Sequence, residues 1–162
     1  MKNRQFTGRH YETGTIANIL QARGDINPIT KKPYDEDFVI GASGGIAFGY
    51  FVFEYKGYLP HVALLTRNTF HPFERALDNL GIRREVRETT NEAKGEENLR
   101  RELDMGNLVV VWADAFSLPY FGFENHEMYG MRPLLVVGQE GDDFLVVDGT
   151  KSPFSMSRTE MA

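Results

Sequence analysis

The chain contains no cysteine in its 162 residues. That absence excludes disulfides, thiolate metal sites and any cysteine nucleophile, whatever the fold. No long hydrophobic run is present either. The longest apolar stretch, Gly41 to Phe53, is interrupted by Gly44, Gly45 and Gly49, and it falls short of the roughly 20 residues needed to span a bilayer. The first residues, Met1 to Gln5, lead into a polar segment rather than the apolar core of a signal peptide, so a cytoplasmic location is expected. A basic excess is missing as well: the formal net charge is −5, spread along the chain. Phosphate backbones require a basic face, and neither nucleic acid nor membrane is expected as a partner.

What is present suffices for one domain with a core, since 41% of the residues are hydrophobic and 12% aromatic. Ile16, Ile19 and Leu20 share a helical face, which predicts a helix over 13–23 with Gly24 just past its end. A turn-rich segment carrying Asp25, Asn27, Pro28 and Pro33 leads to a short helical run over 35–40. Ile46 to Tyr55 is aromatic and β-leaning, and predicts a strand. Helical spacing returns in Phe70, Phe73, Leu77 and Leu80 before Gly81, and in Leu99 and Leu103 before Gly106. The runs 108–112, 134–137 and 144–147 are short, apolar and β-branched, the last two separated by turn residues 138–143. Helices first and paired strands late favour an α+β fold, N-terminal helices packed on a small antiparallel sheet, over an alternating parallel one. A single domain over 1–162 is expected. The Ser157 to Glu160 pattern could open another helix, so a second domain after residue 162 is expected in the complete protein.

Three segments in order, HYETGTIANIL (10–20), GASGGIAF (41–48) and VVVWAD (109–114) with Leu118, Pro119 and Tyr120, resemble the butirosin biosynthesis protein H N-terminal family. A fourth, RPLLVVG (132–138) followed by FLVVD (144–148), fits the closing hairpin of that family. The resemblance implies a papain-like fold, similar to bacteriocin-processing peptidases, in which a helix-borne cysteine is activated by a histidine and oriented by Asp or Asn. It also implies acyl transfer from a carrier-protein thioester to an amine. This chain departs from the pattern at two positions: Tyr11 stands at the cysteine position and Arg132 at the histidine position, while Asp148 matches the third member. Gln5, six residues before Tyr11, has the spacing of an oxyanion-hole glutamine.

Can Tyr11, Arg132 and Asp148 do the family's chemistry? A phenol of pKa about 10 is ionised to only ~0.1% at neutral pH, against a few per cent for a free thiol. Lowering it to about 7 requires roughly 4 kcal/mol of differential stabilisation, and Asp148 competes for the guanidinium with better geometry. Arg132 has no acceptor nitrogen and cannot serve as a general base. Cysteine-histidine chemistry is therefore excluded, and a structural cluster in place of the triad is the expectation.

Other candidates remain. His10 caps the helix start, faces solvent or acts on a substrate; His126, in Glu124 to Glu127, reaches a cleft only if its loop folds over it; Glu12 is a further candidate base. His61 and His71 are expected to be surface residues near loops. No metal-ligand spacing is present, and neither metal nor cofactor is expected. Gly41 to Gly45 lacks the lysine and the following helix of a phosphate loop, and is expected to pack closely under the cleft. The stripe Phe48, Tyr50, Phe51, Phe53 and Tyr55 is expected to form core. Ligand contacts are expected at Asp114, Tyr120 and Arg132.

Three functions compete. The first is a degenerate peptidase-like or acyltransferase-like domain that binds a small acyl, amine or peptide ligand, free or carrier-linked. The second is an acyltransferase of secondary metabolism in which the amine attacks the thioester directly. The third is a structural or dimerisation domain.

Overall fold

The computed structural model describes residues 4–67, 71–123, 129–149 and 152–161. Helix α1 runs Thr13–Arg23 and stops at Gly24, whose φ of 76° lies in the left-handed region that glycine enters without a Cβ penalty. Asp35 caps α2, Glu36–Ala42, by accepting the Phe38 N–H. Pro72 opens α3, Pro72–Asn79, where its missing N–H costs no hydrogen bond. Asn91 caps α4, Glu92–Asp104, through the Lys94 N–H. A last short helix, α5, covers Arg158–Met161.

Strands β1, Ile46–Phe53, and β2, His61–Arg67, form a separate antiparallel ribbon. Strands β3, Val109–Asp114, β4, Met131–Glu140, β5, Asp143–Val147, and β6, Phe154–Met156, form a four-stranded antiparallel sheet in that order. The fold is α+β.

Alternate residues of the sheet explain its continuous apolar runs. Leu134, Val136, Phe144 and Val146 point to one face, where Leu99 and Leu103 of α4 cover them together with Leu118 and Met156. Leu135, Val137, Leu145 and Val147 point to the other face, against Phe6 and against Ile19 and Ala22 of α1. A sheet buried on both faces needs no polar alternation. A third cluster joins α1 to α2 and α3 through Ile16, Ala17, Leu20, Val39, Phe73, Ala76 and Leu77.

The structure departs from expectation at several points. β2 and β6 were not foreseen, because HVALLTR lacks clean alternation and FSM is only three residues long. Phe70 lies outside the described residues, and α3 starts at Pro72. Most important, the aromatic stripe is not core: on β1 Phe48 is 75% exposed, Tyr50 61% and Phe53 45%, with Phe51 half-buried, and Tyr55, past the end of the strand, is 60% exposed. β1 pairs with β2 alone, and the ribbon contributes to none of the buried clusters among the described residues.

The glycine segment resolves differently too. Residues 41 and 42 end α2, Ser43 is buried, and its hydroxyl donates to the Ile40 carbonyl at 2.7 Å while accepting the Gly45 N–H at 3.0 Å. It is a helix terminus leading into the ribbon.

Candidate functional site

Two buried side chains bring the start of α1 to the open end of the sheet. Asn18 accepts the Gly8 N–H at 2.9 Å and donates to the Gly149 carbonyl at 3.2 Å, tying the N-terminal segment and the end of β5 to the helix. Thr15 donates to the Tyr11 carbonyl at 2.7 Å, and its hydroxyl lies 3.3 Å from the carbonyl of Pro133, the residue after Arg132. The N-terminal segment crosses the helix backbone to backbone: a Cβ at Gly14 would sit 2.7 Å from the Arg9 nitrogen, and one at Gly8 would sit 2.2 Å from the Gly14 oxygen. Only glycine fits at this crossing.

Around that junction the side chains form one cluster. Arg132 of β4 is ion-paired to Asp148, which follows β5, through Nη2 and Oδ1. The other oxygen, Oδ2, accepts the Tyr120 hydroxyl at 2.8 Å. The guanidinium lies 4.8 Å from the Phe121 ring centroid and 6.0 Å from that of Tyr11. Asp148 is 6% exposed, so its charge needs both partners; an unpaired buried carboxylate is costly. Arg132 Nε is buried, with no hydrogen-bond partner among the described residues. Tyr120 lies within the Pro119–Phe121 turn after β3, its ring 5.2 Å from that of Phe154 on β6.

The electrostatics follow from this packing. Burial pushes the Tyr120 phenol well above its ordinary range, its hydrogen bond to Asp148 and the carboxylate charge add to that, and Arg132 opposes it. Tyr120 is therefore a proton donor and Asp148 a carboxylate with both oxygens engaged. Arg132 is a fixed cation that cannot accept a proton. The cluster can hold an anion or a carbonyl oxygen, and both oxygens of its carboxylate are already engaged by Arg132 and Tyr120.

The remaining candidates fall elsewhere. His10 Nδ1 faces the N–H groups of Glu12 and Thr13 at 3.3 and 3.4 Å, so this nitrogen caps α1 in place of the side chain of Glu12, which occupies the N-cap position. The His10 ring lies 4.3 Å from that of Tyr11. Glu36, not foreseen, accepts the N–H groups of Arg9 at 2.6 Å and His10 at 2.8 Å and the Thr13 hydroxyl at 3.0 Å; its sequence signal was only that of an acidic helix start. Gln5 donates to the Ser152 hydroxyl and lines a pocket of about 410 Å³ with Gln21, Gly24 and Tyr34, at the C-terminal end of α1. Tyr11 sits at the opposite end, so the six-residue spacing does not bring an oxyanion donor to it.

Asp114 organises its own loop: its carboxylate accepts the Gly130 N–H at 2.9 Å, the Phe116 N–H at 3.3 Å and the Ser117 hydroxyl at 3.0 Å. His61 is exposed at the first residue of β2, opposite Phe53, and His71 precedes α3 on the surface, both beside loops as expected. His126 and Glu127 lie outside the described residues.

Fold and cluster together define an α+β domain in which an arginine, a carboxylate and a tyrosine close the junction between the first helix and the sheet. Residues 10–149 match the family model for butirosin biosynthesis protein H, N-terminal, and the chain belongs to that family. No curated protein and no solved structure matches it.

Proposed function

We propose that this domain is a non-thiol member of its family, with a papain-like fold, that binds a small acyl, amine or peptide ligand without catalysing thiol-type transfer. The Arg132–Asp148–Tyr120 network carries this reading. A transfer site of the cysteine type needs a nucleophile beside a proton acceptor. Here the nucleophile position holds Tyr11, and both oxygens of the carboxylate are engaged by Arg132 and Tyr120. What remains is recognition: a guanidinium flanked by the rings of Phe121 and Tyr11 suits a carboxylate or carbonyl carried on an apolar group. Among the described residues no helix is long and apolar enough to cross a membrane, and the proposed setting is the cytoplasm.

The test is a panel of acyl thioesters and free acyl acids with amine acceptors, read by thiol release and by melting temperature. The proposal expects no thiol release, a raised melting temperature with at least one acyl compound, and loss of that rise in Arg132→Gln. Thiol release that disappears in His126→Ala or His10→Ala, but survives in Tyr11→Phe, would instead establish direct transfer to the amine.

A further inference from the structure

The β1–β2 ribbon presents an apolar face that the described residues leave uncovered. The register pairs Tyr50 with Leu64 and Val52 with Val62. Paired residues share a face, and residues two apart on one strand share it too. Tyr50, Val52, Val62 and Leu64 therefore lie on one side, with Phe48 at the end of it, where the register shifts between Ile46 and Gly49. The four are 61%, 46%, 55% and 61% exposed and Phe48 is 75% exposed, and none carries a charge. On the four-stranded sheet the equivalent positions are covered by α1 or α4. An isolated two-stranded ribbon is marginal in water unless another layer packs on it, and its two outer edges are open to pairing.

We propose that this face is the interface of a homodimer, in which two ribbons pack face to face about a two-fold axis. The area fits. With aromatic side chains of about 150–250 Å², the exposed parts of the five residues sum to on the order of 500 Å² per copy, at the upper end of what a monomer leaves open. Two copies bury at most about 1,000 Å², the size of a weak, concentration-dependent association. Charge restricts where two copies can meet. Each copy carries a formal −5, which opposes association at long range, so the least costly contact is a surface without charge, as this patch is when it faces its own copy across a two-fold axis. The same net charge opposes adsorption to anionic lipid. This inference is independent of the ligand-binding reading, because the ribbon contributes no residue to the Arg132 cluster.

Sedimentation velocity of the 162-residue chain from about 1 to about 100 µM, a range that brackets the dissociation constant expected for so small an interface, tests the proposal. The dimer fraction is expected to rise with concentration. The double variant Tyr50→Lys with Leu64→Lys is expected to stay monomeric throughout, with an unchanged far-ultraviolet circular dichroism spectrum. A second measurement stands if that variant fails to fold. Because the chain has no cysteine, Leu64→Cys carries a single thiol, and a short bismaleimide is expected to link it into a dimer at concentrations where the surface variant Glu88→Cys is not linked. A wild-type chain that remains monomeric at every concentration overturns the proposal, as does a dimer that both lysines leave intact or equal linking of the two cysteine variants. Wild-type monomers that bind anionic phosphatidylserine vesicles through this face would assign it to lipid instead.

Discussion

The four-stranded sheet and the two-stranded ribbon are built from the same kinds of residue and end in opposite environments. Leu134, Leu135 and Val136 are 0% exposed, whereas Phe48 on β1 is 75% exposed. The contrast comes from coverage. α1 lies on one face of β4 and β5 and α4 on the other, while nothing in the described chain is layered on the Phe48 face of β1. A run of aromatic and β-branched residues specifies a strand; it does not specify what will bury it.

The comparison can be broken most sharply by truncating one aromatic in each region. Phe144→Ala, under Arg100 and α4, is expected to cost about 3–5 kcal/mol in urea unfolding. Phe48→Ala is expected to change stability by about 0.5 kcal/mol or less in dilute monomer. Equal losses would mean that the ribbon is covered within the monomer after all.

Asp148→Ala comes next. It leaves Arg132, whose side chain is 20% exposed, without its carboxylate partner, and a loss of about 3 kcal/mol is expected by the same measurement. If Arg132→Leu is added and stability recovers, the cluster was a desolvated pair held for recognition rather than for stability.

Gly14→Ala probes how α1 meets the N-terminal segment. Its new Cβ would stand 2.7 Å from the Arg9 nitrogen, and overpacking there is expected to cost about 1–3 kcal/mol. Gly41→Ala, where a Cβ meets nothing within 4 Å, is the matched control, expected to be neutral or slightly stabilising.

The smallest effect is a pH dependence. The Tyr120 phenol is raised in the folded state by burial and by Asp148. The folded chain therefore holds this proton more tightly than the unfolded chain, whose phenol titrates near pH 10. The stabilisation is fully present below about pH 10 and is lost as pH rises beyond it. Alkaline melts should fall less steeply for Tyr120→Phe than for the wild type, and identical slopes would show that the Tyr120 environment does not couple to folding.

Local signals made much of this architecture legible. Gly24 ends α1, Asp35 and Asn91 cap their helices, and Leu99 and Leu103 mark the inner face of α4, because caps and helical spacing depend on neighbours within a few residues. The Ser157 to Glu160 signal also formed its short helix, with the Glu160 carboxylate accepting the Ser157 N–H at 2.7 Å and held below the usual carboxylate range by that residue. Gln5 misled because a spacing along the chain carries no direction: the segment crosses α1 at Gly8 and takes Gln5 to the far end of the helix. Nor did any motif announce that Asn18 would bridge Gly8 to Gly149, since its partners are 10 and 131 residues away in sequence.

The sequence by itself determined that no thiol chemistry is available, that helices precede paired strands, and that residues 132 and 148 carry opposite charges. Those are properties of composition, of local periodicity and of residue identity. Only the tertiary structure decided that Tyr120 completes the cluster, that Asp114 is consumed by its own loop, that His10 Nδ1 caps a helix, and that the most aromatic strand faces outward. Each depends on which distant segments come together and which surfaces are left without a layer above them, and neither is encoded within the reach of a local pattern.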